Sequence, residues 1–424
     1  MSFRFAAVIS HPIQHYAPVF RELAKTPGIA VKVFYCCDWG VKPTFDAGFN
    51  REFAWDVPLL DGYDYEFVPI RRPPRHHGFW EIDNPAMADR LEEFDPHAMW
   101  LHGYGQRSCW RALGWARGRT AVIHFGDSEL VRPRSLPRRV LKNLIVRHFF
   151  RRCDAFITIG DNNEQYYEHY GVPRNKMFRG ACPIDVNRFR ERVRQAGTNA
   201  RKEIRQRFGI PDEAVAVVWS AKMIGLKRPD DLVEAIARLR DMPVHAVFLG
   251  DGPLRQELEN RVRRDSLESR VHFAGFVNQR DIAVMLSAGD LLAITSDRDA
   301  HPLAVAESLT VGHPIVASDR IGCIGPTDSA RPGVNAIVYP VGDTAALARA
   351  IARIASDQEL RGRMSRASWE LAMSQDVSVA VRAVLQAVGA LHERFADRWE
   401  VLPASLPASD TEQDDAWRGV TVTI

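Results

Sequence analysis

Asp299 and Glu307, with seven residues between them in the segment from Ser296 to Ser318, are the acids around which a reaction site can be built. The apolar run Leu291–Ile294 reads as a buried parallel strand and residues 302–310 as the helix after it, so Asp299 falls in the strand-to-helix turn and Glu307 further along the helix. Open α/β sheets bind ligands in the crevice beyond the carboxyl ends of their strands. The free N–H groups at the helix start, those of Leu303 and Ala304, suit a phosphate there. The chemistry this predicts is recognition of a nucleotide sugar. Lys222 and Lys227 flank Gly225 on a loop that leaves another strand end. Two cations in that place can hold a diphosphate and stabilise the charge on a departing nucleotide. Two solvated surface lysines are the ordinary alternative.

Further signals occur in the same half of the chain. Gly250-Asp251-Gly252-Pro253 follows a strand, and its glycines let a ligand approach the backbone, although such a turn also serves plain strand-to-helix connections. After the strand from Val271, backbone can pair with a base edge while Phe276 and Val277 pack on its face, with core packing as the competing use. Near the N-terminus, His11, Gln14 and His15 follow the first strand, which hangs them over a cleft.

The elements that must position these groups alternate strand and helix throughout. The 424 residues are long for one core, and 46% hydrophobic with 26% charged residues is a globular composition. Strands are expected at residues 4–9, 31–35, 98–101, 121–124 and 155–159, and again at 215–220, 244–249, 271–273, 291–294, 315–317 and 336–339. This predicts an α/β protein of two doubly wound Rossmann-like domains facing across a cleft. The first is placed at residues 1–190, a charged linker at 191–212, the second domain at 213–380, and a C-terminal helix with a loosely ordered tail at 381–424. One long helix is expected over 359–395, and residues 38–74, without clear period, read as a long insertion at the carboxyl edge of the first sheet.

In their order, Lys222 and Lys227, Gly250-Asp251-Gly252, Phe273 to Phe276, and Asp299 with Glu307 resemble the donor half of the retaining GT-B-fold glycosyltransferases of family four. The resemblance runs over roughly residues 215–356, with a looser match before it. It implies that the Lys222–Lys227 loop grips the donor diphosphate, with Lys222 where the family has arginine. Glu307 matches the glutamate that binds the donor ribose, and Asp299 replaces, one methylene shorter, the glutamate beside the transferred sugar. Ala300-His301-Pro302 stands where the family often has Gly-Phe-Gly, and His124 looks like its cleft histidine, which hydrogen-bonds the donor sugar. The implied reaction moves a hexose from a nucleotide diphosphate sugar to a glycan or lipid-linked acceptor, with retention and without a metal or other cofactor. An Asp-x-Asp metal triplet at Asp297 and Asp299 is a weaker alternative. An epimerase or hydrolase of the same fold, and a noncatalytic sugar-nucleotide or lipid-binding protein, are the competing functions.

Between Arg132 and Arg152 there are eight basic residues and no acid, interleaved with apolar ones. As an amphipathic helix this segment packs its apolar side on the sheet, with a basic face that is either simply solvated or docks on anionic lipid. A net charge of +3 does not suggest nucleic acid. The opening Met-Ser-Phe-Arg lacks a signal peptide's apolar core, and the six cysteines show no CxxC spacing. The expected location is the cytoplasm, peripherally on the inner face of the membrane, with the thiols reduced.

Overall fold

The computed structural model describes residues 2–130 and 136–399, residues 136–139 by their backbone alone. Strand β1 (Phe3–Ile9) sends Phe3, Phe5, Ala7 and Ile9 to one side and Ala6 and Val8 to the other, all of them buried. A strand apolar on both faces belongs inside a helix-covered parallel sheet. The strands after it are β2 (Ile29–Tyr35), β3 (Thr44–Asp46), β4 (Arg51–Phe53), β5 (Asp64–Phe67), β6 (Ala98–His102), β7 (Ala121–Phe125), β8 (Ala155–Thr158) and β9 (Met177–Arg179). They form a parallel sheet in the order β5-β2-β1-β6-β7-β8-β9, from which β3 and β4 stand apart as an antiparallel hairpin.

The second half repeats the plan. Val215, Val217 and Trp219 of β10 (Val215–Ser220) enter one core layer, and Ala216 and Val218 enter the other. With β11 (Val244–Leu249), β12 (Val271–Gly275), β13 (Leu291–Ile294), β14 (Ile315–Ser318) and β15 (Ala336–Tyr339) it makes a parallel sheet ordered β12-β11-β10-β13-β14-β15. The fold is therefore the expected pair of doubly wound sheets. Each sheet reverses its winding once, between β1 and β6 and between β10 and β13, and a crevice opens at each reversal.

Two seams join the halves. On one side the β3–β4 hairpin reaches the second sheet's loops, where Asn278 Nδ2 donates to the Ala54 carbonyl at 2.8 Å and the Arg280 amide to Asp56 at 3.0 Å. On the other, the Asp161 amide donates to Asp328 at 2.8 Å, and Asn162 donates to the carbonyls of Gly322 and Ile324.

The long C-terminal helix is divided. Gln358–Leu371 runs into the 3-10 turn Ala372–Gln375, and a new helix, Val377–Phe395, starts where the Asp376 carboxylate accepts the Ser378 amide at 3.0 Å. This last helix lays Val377, Ala380, Ala383, Val384, Val388 and Leu391 on the first sheet's core, so the chain crosses back before residue 381. Helix Leu136–Phe150 also departs from expectation. It buries Val146, Phe149 and Phe150 but leaves Leu141 61% and Leu144 66% exposed, with Val140 and Ile145 exposed as well. Residues 131–135 of the basic segment and the tail after residue 399 lie outside the described residues.

Candidate active site

The second crevice collects the charged groups. Lys227 ends a short 3-10 turn after β10, and its carbonyl accepts from Thr295 Oγ1 at 2.7 Å, while that hydroxyl accepts from Trp219 Nε1 at 2.9 Å. Backbone and core thus fix where the lysine begins. Its ammonium is paired with the Asp299 carboxylate in the turn after β13. Asp299 is itself held by its backbone, which bridges to Ile321 and accepts the Gly322 amide at 2.8 Å. One of the two lysines and the first acid of the segment therefore meet in this crevice. Among the described residues no group of three His, Cys, Asp or Glu is arranged to hold an ion.

Glu307 is 5% exposed on the seven-residue helix Leu303–Leu309, which opens with Leu303 and Ala304 next to this turn. Burial raises its carboxyl above the usual range, against the pull of the Gln279 amide at 3.0 Å and the charge of Arg188. Arg188 also bonds the Gln279 side-chain oxygen at 3.3 Å. A carboxylate, an amide and a guanidinium stacked in this way make a polar platform with one acidic edge. Neither Arg188 nor Gln279 was legible as a site residue, since Arg188 falls at the end of the range given to the first domain, just before the charged linker, while Glu307 lies in the second.

Gly250 has a different duty from the one expected. Its φ is +150°, and a Cβ there would lie 1.9 Å from the Ala221 carbonyl oxygen. The missing side chain makes room for the lysine loop, not for a ligand. Lys222 points away from Asp299 and across the seam, where its Nζ lies 2.8 Å from an Asp46 oxygen. Phe276 is covered by the same hairpin: the Phe49 and Phe53 rings lie 4.9 and 4.8 Å from it. Val277 and Phe276 line, with Arg51 and Phe53, a cavity of about 860 Å³ between the halves.

The first crevice is lined with imidazoles. His11, bonded to Ser10 Oγ at 2.8 Å, packs against His77 and Trp39. Burial first, then the neighbouring rings His77, His102 and His15, hold its pKa down at about 3. His15, similarly held at about 3 by burial and then by His102 and His301, links this group to the second half, where His301 follows Asp299. One ring nitrogen each of His15, His102 and His301 is enclosed without a hydrogen-bond partner among the described residues. Neutral imidazoles with free nitrogens can donate to or accept from hydroxyl groups. His124 is not part of this surface. It is 1% exposed among Phe149, Phe150, Phe156 and Tyr167, with Nδ1 3.1 Å from the Tyr167 hydroxyl. The phase of β7 turns it toward the covering helices, and direct contact with a sugar in the cleft is not what this placement offers.

Residues 200–370 match the family model of glycosyl transferases group 1, and residues 19–188 match that of glycosyltransferase family 4. A protein from Anabaena, Alr3699/HepE, crystallised with UDP, superposes with a TM-score of 0.71 at 16% identity over 92% of this chain and 100% of its own. The fold is GT-B. Its two halves carry one glycosyltransferase family match each, and together these support a group 1 glycosyltransferase. Among relatives in sequence, alpha-D-kanosaminyltransferase of Streptomyces kanamyceticus is 29% identical over 52% of this chain and 55% of its own length. The lipopolysaccharide core biosynthesis glycosyltransferase LpsE of Rhizobium meliloti is 30% identical over 40% of this chain and 48% of its own. The GT-B chain thus spans about half the length of the curated relatives it matches. In a GT-B frame, the lysine loop and Asp299 face the histidine-lined crevice of the other half.

Proposed function

We propose that this GT-B protein is a retaining hexosyltransferase: the donor nucleotide sits on residues 213–380, and the acceptor, a glycan or a lipid-linked sugar, on the first half. The observation that carries the reading is the Lys227–Asp299 pair at the reversal of the second sheet, opposite the imidazoles at the reversal of the first. A nucleotide diphosphate sugar brings to this place a diphosphate for the lysine and hydroxyls for Asp299 and the histidines. The bond between the anomeric carbon and the phosphate oxygen breaks, and the diphosphate leaves with the electron pair, its charge met by Lys227 and Lys222. The acceptor oxygen bonds the anomeric carbon from the side the diphosphate left, and its proton passes to the departing phosphate. Retention follows from that geometry, and no step calls on a metal. Glu307, backed by Gln279 and Arg188, holds the ribose. Thermal shift with UDP, GDP and their hexose conjugates tests the donor assignment, because a ligand bound only by the folded state raises Tm. At a hundredfold excess over Kd the gain is about 2.7 kcal/mol. No shift with any of them would sink the reading.

The exposed half of helix Leu136–Phe150 gives this reading a location. Leu141 and Leu144 project beside the basic Arg147 and Arg151, a combination that suits the boundary of an anionic bilayer. No helix among the described residues is long and apolar enough to cross a membrane. Sedimentation with vesicles containing anionic lipid should carry the protein down, and Leu141→Glu with Leu144→Glu should leave it in the supernatant. Equal recovery with purely zwitterionic vesicles counts against the docking face.

A further inference from the structure

The hairpin 44–53 belongs to the first half by sequence, yet it rests on all three donor loops of the second. Asp46 is paired with Lys222 at 2.8 Å, and the Lys222 ammonium also lies 4.8 Å above the Phe49 ring. Gly48 presses on the Gly252 turn, where a Cβ on Gly252 would meet the Gly48 carbonyl oxygen at 2.8 Å. Phe49, Phe53 and the Arg51 guanidinium, the last at 4.8 Å, cover Phe276. An anionic group on the phosphate lysine and flat rings on the base-binding phenylalanine reproduce, with side chains, the two ends of a nucleoside diphosphate.

We infer that this hairpin is a selectivity strap: Asp46 occupies the phosphate position on Lys222, Phe49 and Phe53 occupy the base face of Phe276, and only a ligand carrying both an anionic group and a flat base displaces both contacts together. The inference rests on the donor assignment made above. It makes Asp46, Phe49 and Phe53 specificity-determining residues contributed by the acceptor half, and it couples donor entry to the seam that joins the halves. Free phosphate or a neutral sugar can replace only one contact and leaves the other in place. Local geometry supports a carboxylate fixed for this duty. Its Oδ1 accepts the Gly48 and Phe49 amides at 2.8 and 2.9 Å, so the turn presents the acid ready-formed to the lysine. Burial pushes the Asp46 carboxyl up, and the Lys222 bond with these two amides brings it net below the usual range, so it is charged at neutral pH.

The test uses Asp46→Asn, which keeps the amide-accepting oxygen and so the turn, but removes the charge. Titration calorimetry with UDP and GDP should show the variant binding about 5-fold tighter than the parent chain, the expected release of a partly exposed ion pair. The gain should vanish when Lys222→Met is added, because Asp46 acts through that lysine. Hydrogen exchange of residues 44–53 should speed up when UDP binds the parent chain and should not respond to inorganic pyrophosphate. Unchanged or weaker binding by Asp46→Asn, or slower exchange of the hairpin with UDP, overturns the strap while leaving the donor site standing. Binding of neither nucleotide by either protein removes the donor assignment and the strap with it.

Discussion

Lys227→Ala is expected to lower the rate of nucleoside diphosphate release by about 10²–10³-fold, the loss typical of removing one preorganised group aimed at charge that develops in the transition state. Of the two lysines, Lys227 is the better placed for that task. Its backbone is tied through Thr295 to the indole of Trp219, so its position requires little reorganisation at the moment of reaction. Its side chain is 19% exposed, against 37% for Lys222, and a charge with less water around it acts more strongly on its neighbours. Lys222→Ala should therefore cost less in rate and more in donor affinity, since Asp46 already shares that ammonium. The substitution at 227 also leaves Asp299 without its cation, which separates two effects. Lys227→Met with Asp299→Asn should keep the Tm of the parent chain and still lack turnover. Steady-state release of diphosphate from the donor that gives the largest thermal shift is the measurement. Turnover of Lys227→Ala within about 3-fold of the parent chain would remove the lysine from the mechanism.

The sheets were legible because buried parallel strands have little choice of composition. Runs such as Val244–Leu249, apolar except for His245, and Leu291–Ile294 read as buried on both faces, which is how a helix-covered parallel sheet holds its strands. Asp299 and Lys227 were legible because strand ends at a winding reversal fix where loops converge. What escaped was set by contacts between distant segments. The hairpin Thr44–Asp46 with Arg51–Phe53 carries a pattern too short to show a period, and its purpose appears only when Phe49 meets Phe276 from the other half. Helix Leu136–Phe150 has the apolar residues of a buried element, but tertiary placement leaves Val140, Leu141, Leu144 and Ile145 exposed. His124 sits at a strand end as expected, yet the two-residue period of β7 decides which face receives its ring. A site assigned from spacing alone locates loops well and side-chain directions poorly.

Acid should weaken this protein early, because burial holds many of its imidazoles neutral. His11, His15 and His124 are lowered to about 3, and His102, His272, His301 and His313 to about 4, in each case first by burial. In the unfolded chain the same rings take up a proton near pH 6.5. Between these values the unfolded state binds more protons than the folded one, so stability is present above pH 6.5 and is lost as pH falls toward 4. Asp328 works the other way. Burial raises its pKa from 3.8 to about 7, so its contribution grows as pH falls through that window. Glu307 and Asp154, also raised by burial, act in the same direction as Asp328, and the seven imidazoles outnumber these three carboxyls. Each fully enclosed ring costs about 1.4 kcal/mol per pH unit below 6.5, so the two most enclosed, His124 at 1% and His313 at 2% exposure, cost about 3 kcal/mol per unit, of which Asp328 returns about 1.4. Against a total stability of roughly 5–15 kcal/mol, the net loss of about 3 kcal/mol between pH 6.5 and about 4.5 is a large fraction. Circular dichroism melts from pH 8 to 4.5 should show Tm falling steeply below pH 6.5. His124→Phe, apolar among the rings that already surround it, should make the slope shallower by about 1.4 kcal/mol per unit. A Tm that stays level between pH 7.5 and 5 would mean that these imidazoles gain protons without cost and that their sites are open to water rather than enclosed.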